Sequence, residues 1–145
     1  MSKVLIITAQ HFGVRNDNQH YVDRYRKIYT ETVLPLIDKE GITEILNLGD
    51  TFDRRKGVNF SSLEAAKDMW FRPLQDRGVK MTMLLGNHDI YFKNTLRVNS
   101  PELLLGEFNN IEIIYCPGER LIGGKKMMLV PWICDENREA AWEAI

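Results

Sequence analysis

Short runs of apolar residues alternate along the chain with longer stretches in which apolar positions recur every three or four residues. Residues 4–7, 45–48 and 81–85 are dominated by valine, isoleucine, leucine and methionine, the pattern of buried β-strands. Residues 21–39 and 61–76 show helical spacing instead. This alternation of strand and helix is typical of α/β folds with a parallel central sheet.

The second half of the chain is richer in strand patterns. Further strands are predicted at 111–115, 119–122 and 127–130, with a short helix at 100–105 and a helix from residue 135 onward. The last helix has no stop signal before the sequence ends, from which we expect a natural domain that continues further. The pattern predicts a layered α/β fold whose first strands are parallel and covered on both faces.

Composition narrows the choice of partners and compartment. The 145 residues carry 19 basic and 20 acidic side chains, a formal net charge of -1, so no global field attracts nucleic acid or an anionic membrane. No apolar run approaches the about 20 residues of a membrane span, and no signal-peptide core opens the chain. Cys116 and Cys134 stand beside apolar runs and are expected to be buried, reduced thiols. We expect a cytoplasmic protein without a membrane partner.

Polar residues of one chemical kind follow each of the first three predicted strands. His11 follows the first strand, Asp50 and Asp53 follow the second, and Gly-Asn-His-Asp at 86–89 follows the third. Because the carboxyl ends of parallel strands meet at one edge of a sheet, these side chains are expected to converge. Imidazole, carboxylate and amide oxygen suit manganese, iron or zinc. Each residue alone has a structural explanation as a turn, cap or core residue, but their coincidence at three strand ends favours a metal or phosphate site.

The same residues form ordered motifs that resemble a known family. His-Phe-Gly at 11–13, Gly-Asp-Thr-Phe-Asp-Arg-Arg at 49–55 and Gly-Asn-His-Asp at 86–89 resemble the calcineurin-like metallophosphoesterases. The stretches FGVRND, FDRRK and VPWICDEN are similar to those of the nuclease subunit of SbcCD-type DNA repair complexes, including the phage recombination endonucleases. The resemblance covers essentially the whole chain, residues 1–145, but only the amino-terminal portion of that family's catalytic domain. It implies the layered α/β fold of that family.

The resemblance implies a role for each of these side chains. His11 would help to hold a first metal ion, Asp50 would bridge two ions, and Asn87 would ligate the second. His88 would stand near the scissile phosphate and donate a proton or stabilise charge, and Asp89 would orient it as the second member of a dyad. The implied cofactor is a pair of divalent ions, and Mn²⁺ is the expected metal.

Residues around these motifs are candidates for supporting roles. Asp53 would lie behind the ligands and fix one of them, or fix the arginine that follows it. Arg15, Arg54 and Arg55 are candidate contacts to DNA phosphates, because a guanidinium grips phosphate oxygens in a bidentate manner. A merely solvated role on an exposed loop is equally consistent with the sequence.

Two departures from the family pattern bear on activity. The family has aspartate two residues before the first histidine, and this chain has Ala9, whose methyl group offers no lone pair. The family closes its site with a later histidine and a Gly-His-x-His motif, whereas this chain contains only His11, His20 and His88. Ligands for both metals are therefore missing, and we expect the chain as given to be impaired as a nuclease.

The resemblance implies a metal-dependent DNA exonuclease or endonuclease that acts in double-strand-break processing or phage recombination. Its partners would be DNA, an SbcC-like ATPase and a second copy of the nuclease, in a bacterial cytoplasm or a phage-infected host cell. The run Met69-Trp70-Phe71 cannot all face one side of a helix, which predicts that Trp70 or Phe71 contacts the second copy. Two alternatives remain open: a phosphoesterase that acts on a small molecule, and a non-catalytic module that binds DNA or a partner without cutting.

Overall fold

A four-stranded parallel sheet lies at the centre of the computed structural model, which describes residues 2–145. Its strands, in spatial order, are β1 (Val4–Ile7), β2 (Glu44–Asn47), β3 (Lys80–Leu84) and β4 (Ile111–Ile114). Each strand is parallel to its neighbours. The parallel α/β architecture predicted from the sequence is confirmed, and it places the carboxyl ends of all four strands at one edge of the sheet.

Two long helical segments cover one face of the sheet. The first consists of Gln19–Ile28, a π-helical turn at Tyr29–Val33, and Leu34–Glu40. The second repeats this plan with Phe60–Ala66, a π-helical turn at Lys67–Phe71, and Arg72–Asp76. The main hydrophobic core lies between these helices and the sheet. Both helices were expected from the apolar spacing, and each begins one or two residues before its predicted range.

Proline accounts for both π-helical turns. Pro35 and Pro73 each stand at the start of the helical stretch that follows a π turn. A proline has no backbone N–H to bond the carbonyl four residues earlier, and its ring crowds that carbonyl. The helix widens locally as a result, and the N–H of Leu34 bonds the carbonyl of Tyr29. The distortion next to Pro35 therefore takes the form of a π turn.

The π turn of the second helix buries three large side chains in succession. Met69, Trp70 and Phe71 are 2%, 0% and 1% exposed. Trp70 packs against Tyr29 of the first helix with ring centroids 4.8 Å apart, and Phe71 packs against Phe108 at 5.8 Å. The prediction that Trp70 or Phe71 makes a surface contact is therefore wrong. The helix has neighbours on more than one side, and its widened turn distributes successive side chains among them.

A β-hairpin covers part of the opposite face of the sheet. Its strands β5 (Gly118–Ile122) and β6 (Lys125–Leu129) pair in antiparallel fashion. The hairpin packs on side chains from β2, β3 and β4, namely Leu46, Leu84 and Ile114. Coverage is incomplete over the edge strand β1, where Ile6 is 54% exposed. The expected burial of the strands on both faces therefore holds only in part.

Two short helices, Ser100–Leu104 and Arg138–Ala144, and a turn with left-handed backbone at Val14–Asp17 complete the described structure. Cys134 is buried, as expected, whereas Cys116 is exposed because it lies in the bend between β4 and β5 rather than in a strand. Both cysteines are free thiols. Within residues 2–145 no helix has the length and apolar character needed to cross a bilayer.

Candidate metal centre

The loops that leave β1 and β2 run side by side beyond the sheet. The N–H of Ala9 donates to the carbonyl of Gly49, and the N–H of His11 donates to the carbonyl of Asp50, both at 3.0 Å. These bonds continue the parallel ladder past the last residues of the strands. They carry His11 and Asp50 to the same edge of the sheet, as the sequence predicted.

The backbone at this edge adopts an unusual conformation. Ala9, His11 and Asp50 have φ angles of +50°, +49° and +56°. Left-handed backbone is unfavourable for residues with a Cβ atom and occurs preferentially at functional sites. Aspartate, asparagine and histidine adopt this conformation more readily than alanine does. Ala9 therefore lacks both a ligand atom and a local preference for the backbone it occupies.

Two glycines bring the loop after β3 against the loop after β2. A Cβ atom on Gly49, whose φ is +102°, would lie 2.6 Å from the backbone nitrogen of Gly86. A Cβ atom on Gly86 would lie 2.2 Å from Oδ1 of Asp50. Only glycine fits at these two positions. Their contact places the N–H of His88 2.9 Å from Oδ1 of Asp50, to which it donates a hydrogen bond.

His11, Asp53 and His88 form a compact group of candidate metal ligands. One ligand atom from each residue lies within 4.8 Å of those of the other two. The two imidazole rings meet edge to face with centroids 4.9 Å apart. Nδ1 of His11 is buried 3.3 Å from Oδ1 of Asp53, yet it has no hydrogen-bond partner among the described residues. A buried ring nitrogen that no hydrogen bond engages fits a metal ligand, and the donor set suits a divalent cation.

Asp53 lies closer to the histidines than the sequence predicted. It was expected behind the ligands, but its carboxylate belongs to the group itself. Its backbone N–H donates to the carbonyl of Phe12 at 3.0 Å, so the paired loops fix its position. The spacing of Asp50 and Asp53 gave no indication of this placement, because it depends on how the two loops pair.

Asp50 and Asn87 line a groove beside this three-residue group. The groove encloses about 420 Å³ and is also lined by Leu48 and Trp132. Trp132 is 46% exposed. Its backbone N–H donates to the carbonyl of Leu85 at 2.8 Å, which holds this segment beside the end of β3. The sequence gave Trp132 no separate role, although it stands in the VPWICDEN stretch that carries part of the resemblance. The predicted ligands Asp50 and Asn87 thus share a cavity adjacent to the histidines.

The carboxylate of Asp89 ties two of the loops together. The side chain is fully buried and accepts hydrogen bonds from the N–H groups of Asp50, Gly86 and Thr51, at 2.7, 2.8 and 3.0 Å. Burial raises the pKa of Asp89 to about 6, although the three backbone hydrogen bonds act in the opposite direction. The loops after β2 and β3 are therefore held to each other through one side chain.

The expected pairing of His88 with Asp89 is not the one that the structure contains. Both oxygens of Asp89 are engaged by backbone N–H groups, whereas Nδ1 of His88 is directed at the carbonyl of Asp53. A carbonyl only accepts, so the neutral imidazole carries its proton on Nδ1 and leaves Nε2 unprotonated. The backbone of Asp53 orients His88, and the dyad that the resemblance implied is wrong.

The three arginines predicted as DNA contacts have different surroundings. Arg54 forms an ion pair with the carboxylate of Asp17 and lies 3.3 Å from the amide oxygen of Asn16, to which it donates. Arg15 is exposed on a left-handed turn with φ +54°, and Arg55 is half-buried. Within residues 2–145 neither of these two forms an ion pair. Arg54 therefore links two loops, while Arg15 and Arg55 retain unengaged guanidinium groups.

The convergence of three strand-end loops at one edge of a parallel sheet agrees with a known protein family. The pattern that defines the calcineurin-like phosphoesterases matches residues 7–136, and the chain belongs to that family. The family uses divalent metal ions, in accord with the His11, Asp53 and His88 group. Among curated proteins the chain is similar to exonuclease subunit 1 of Enterobacteria phage T4, with 30% identity over 138 residues. The match covers 93% of this chain and 39% of the length of that protein.

A solved structure has the same fold. The chain is similar to the Pseudomonas putida nuclease MPE with a TM-score of 0.53 and 17% sequence identity. That match covers 79% of this chain and 48% of the nuclease chain. At this identity the likeness concerns the fold alone. The family match and the similarity to the phage exonuclease subunit confirm the resemblance that the motifs indicated.

Proposed function

We propose that this chain provides a metal-dependent phosphodiesterase centre that acts on DNA. The observation that carries this proposal is the convergence of His11, Asp53 and His88 within 4.8 Å, beside the groove lined by Asp50 and Asn87. Membership of the calcineurin-like phosphoesterases restricts the chemistry to phosphoesters. The similarity to exonuclease subunit 1 of phage T4 supports DNA as the substrate, cut as an exonuclease or endonuclease in break processing or recombination.

The donor set fits divalent cations, and we propose two ions in the complete centre, with Mn²⁺ as the metal. His11 and Asp53 would hold one ion, with His88 beside them. Asp50 and Asn87 would face the second, with Asp50 bridging the pair. A bound cation supplies an activated water and stabilises charge on the phosphate.

His88 is the side chain placed to exchange a proton with the substrate. Its Nδ1 proton is donated to the carbonyl of Asp53, so Nε2 is the ring nitrogen that remains for proton transfer. An imidazolium at this position donates a proton to the leaving oxygen or balances charge on the phosphate. Asp89 acts only through the backbone that it holds at Asp50 and Gly86.

We further propose that the chain as given is impaired. Ala9 places a methyl group where the family pattern has a carboxylate, which removes one anionic ligand from the first metal. His20, the third histidine of the chain, lies outside the ligand group. The remaining donors support weak metal binding, and we expect DNA binding to survive better than DNA cleavage.

The proposed partners besides DNA are an SbcC-like ATPase and a second copy of the chain. The similarity to a protein described as an exonuclease subunit supports an assembly of several chains. Because Trp70 and Phe71 are buried, a self-contact must use another surface. Phe60 and Leu103 are 88% and 71% exposed and line one groove of about 430 Å³ together with Arg55. Exposed apolar surface of this kind marks interaction sites.

Cleavage of end-labelled duplex DNA with excess protein and Mn²⁺ tests the proposed function. The chain, the Ala9→Asp variant and the double variant Ala9→Asp/Asp50→Asn should be compared. We expect cleavage by Ala9→Asp to exceed that of the chain by about tenfold or more, since one anionic metal ligand contributes a kcal/mol or more to transition-state charge stabilisation. Asp50→Asn should abolish the gain.

A small phosphodiester, bis(p-nitrophenyl) phosphate, serves as the second substrate. Metal-dependent hydrolysis of this compound without cleavage of DNA would favour the small-molecule alternative. Binding of DNA by all three proteins, with no metal-dependent cleavage by any of them, would favour the non-catalytic alternative. Cleavage by the Ala9→Asp variant that the added Asp50→Asn substitution leaves intact would contradict the assigned site.

A further inference from the structure

Two buried amide side chains lie directly behind the metal centre, and neither was assigned a role from the sequence. Gln10 is 5% exposed and Asn47 is 0% exposed. Gln10 stands between Ala9 and His11 in the loop after β1, and Asn47 is the last residue of β2. Burial of an amide is unfavourable unless its polar atoms are hydrogen-bonded. The contacts of these two residues therefore need an explanation.

The two amides form a chain of hydrogen bonds that connects three parts of the fold. The N–H of Gly49 donates to Oδ1 of Asn47 at 2.9 Å. Nδ2 of Asn47 donates to Oε1 of Gln10 at 3.0 Å, and Nε2 of Gln10 donates to the hydroxyl of Tyr29 at 2.6 Å. The chain thus runs from the loop after β2, through the loop after β1, to the π turn of the first helix.

The donors and acceptors of this series of hydrogen bonds can be arranged in only one direction. The backbone N–H of Gly49 can only donate, so the oxygen of Asn47 must face it. The amide nitrogen of Asn47 then faces Gln10, whose oxygen must accept, and the amide nitrogen of Gln10 is left to face Tyr29. Burial raises the pKa of Tyr29 to about 12, so its hydroxyl stays neutral and accepts this bond throughout the physiological range. Each amide therefore has a single orientation fixed from outside.

Because Gln10 directly precedes His11, the hydrogen bonds of its side chain affect the orientation of His11. Ala9 and His11 have left-handed φ angles of +50° and +49°, a conformation that is unfavourable for residues with a Cβ atom. The residue between them must be held firmly for both angles to persist. The backbone hydrogen bonds of Ala9 and His11 fix the path of the loop, and the inward anchoring of the Gln10 side chain fixes the rotation of the segment. His11 follows directly and faces the ligand group.

We propose that Gln10 and Asn47 are positioning residues that set the orientation of the His11 imidazole toward the divalent cation. The inference rests on the proposed function, because it concerns the same centre. It adds that the geometry of His11 depends on an amide pair behind the loop and on Tyr29. Removal of one link releases the rotation of residues 9–11 while the backbone ladder to Gly49 and Asp50 remains.

Imidazole NMR of histidine-labelled protein, combined with Mn²⁺ titration calorimetry, tests this proposal. Gln10→Met keeps the length of the side chain and removes both polar ends. We expect it to shift the His11 resonances in the metal-free protein and to weaken Mn²⁺ binding by about tenfold or more, the usual consequence of losing a partner behind a metal ligand. Asn47→Leu removes both the acceptor for Gly49 and the donor to Gln10, so it should have the same effect. The double variant should be no worse than either single variant.

Two further variants separate positioning from stability. Asn110 is a half-buried amide that donates to the carbonyl of Val79 at 2.9 Å, near the amino end of β3. Asn110→Leu should lower the thermal midpoint without moving the His11 resonances or the Mn²⁺ affinity. Tyr29→Phe removes only the outermost bond, and it should shift the His11 resonances in the same direction as Gln10→Met but less. It also serves as the test should Gln10→Met fail to fold.

The outcomes distinguish this inference from the proposed function. If the unaltered chain binds no Mn²⁺, the proposed function fails, while the metal-free resonances of His11 still decide whether Gln10 positions it. If the chain binds Mn²⁺ and Gln10→Met leaves both affinity and His11 resonances unchanged, the positioning role is wrong and the metal centre stands. Equal shifts in Asn110→Leu would also overturn the role, because they would reflect lost stability.

Discussion

Position 9 determines how much negative charge faces the cation on the side of His11. The residue is exposed at the edge of the sheet, and its N–H is tied to the carbonyl of Gly49. Its left-handed φ of +50° favours aspartate or asparagine over alanine. Sequence comparison with the family pattern identified the missing carboxylate, but the backbone conformation at this position could be known only from the structure.

Ala9→Asp should strengthen Mn²⁺ binding, because it adds an anionic ligand beside His11. We expect an increase in affinity of about tenfold or more in titration calorimetry, equivalent to about 1.4 kcal/mol or more. Ala9→Asn is the matched control, since it suits the same backbone and carries no charge. An equal gain from both variants would show that the carboxylate charge is not responsible.

Asp89 should make stability depend on pH in an unusual direction. Because burial raises its pKa from 3.8 to about 6, the folded state binds the proton more tightly than the unfolded state. The stability contributed by this group is fully present below about pH 4 and is lost as pH rises to about 6, by roughly 3 kcal/mol at most.

Urea unfolding of the chain and of Asp89→Asn across this pH range measures the effect. The difference in free energy of unfolding, chain minus variant, should fall as pH rises from about 4 to about 6 and then level off. The contributions of the other acidic side chains are present in both proteins and cancel. A difference that rises with pH would mean that the three backbone hydrogen bonds outweigh burial.

At the scale of elements, the loops after β2 and β3 depend on two glycines in direct contact. Gly86→Ala would place a Cβ atom 2.2 Å from the carboxylate of Asp50 and 2.7 Å from its backbone nitrogen. We expect a loss of about 1 to 3 kcal/mol in unfolding free energy and weaker Mn²⁺ binding, because the two loops must separate. Differential calorimetry and metal titration measure both effects.

Gly57→Ala is the matched control for that substitution. Gly57 has no positive φ, and a Cβ atom added to it would have no neighbouring atom within 4 Å. Alanine at this position should therefore be neutral or stabilising by up to about 1 kcal/mol. Retention of full stability and metal affinity by Gly86→Ala would show that the loops are not held as closely as the structure indicates.

The sequence predicted the strands and helices better than it predicted the π turns that interrupt the two long helices. The apolar runs of β1, β2 and β3 and the helical spacing of 21–39 and 61–76 are local patterns, and all five elements are present. The π turns were not predicted, since they arise from the conflict between a proline and the carbonyl preceding it within a packed helix. For the same reason the burial of Met69, Trp70 and Phe71 together was missed.

The sequence predicted where the candidate site lies, but not which residues within it contact one another. Parallel topology alone places His11, Asp50 and Asn87 at one edge of the sheet. The entry of Asp53 into the ligand group and the backbone role of Asp89 depend on how three loops hydrogen-bond to one another. Such contacts have no period or spacing in the sequence. The resemblance implied Asp89 as the partner of His88, and the structure does not provide that pair.

At the scale of the whole molecule, self-association should depend on the groove that Phe60 and Leu103 line. Phe60→Glu and Leu103→Asp should each shift sedimentation velocity profiles toward the monomer, because charge opposes burial of apolar surface. Leu121→Asp is the control, an equally exposed leucine (67%) on the hairpin. Trp70→Ala should instead lower stability by about 3 to 5 kcal/mol, as expected for a buried aromatic residue.

A monomer at every concentration before and after these substitutions would remove the second copy from the proposed partners. A dimer that Leu121→Asp disrupts, and that Phe60→Glu leaves intact, would place the contact on the hairpin face instead.

The central claim is that the loops after β1, β2 and β3 form one divalent metal centre, and the three histidines of the chain provide its most direct test. Substoichiometric Mn²⁺ broadens the imidazole NMR signals of the residues nearest to it. The signals of His11 and His88 should broaden first and together, while that of His20, outside the ligand group, persists longest. Asp53→Asn should suppress the effect. Simultaneous loss of all three signals, or preferential loss of the His20 signal, would contradict the proposed centre.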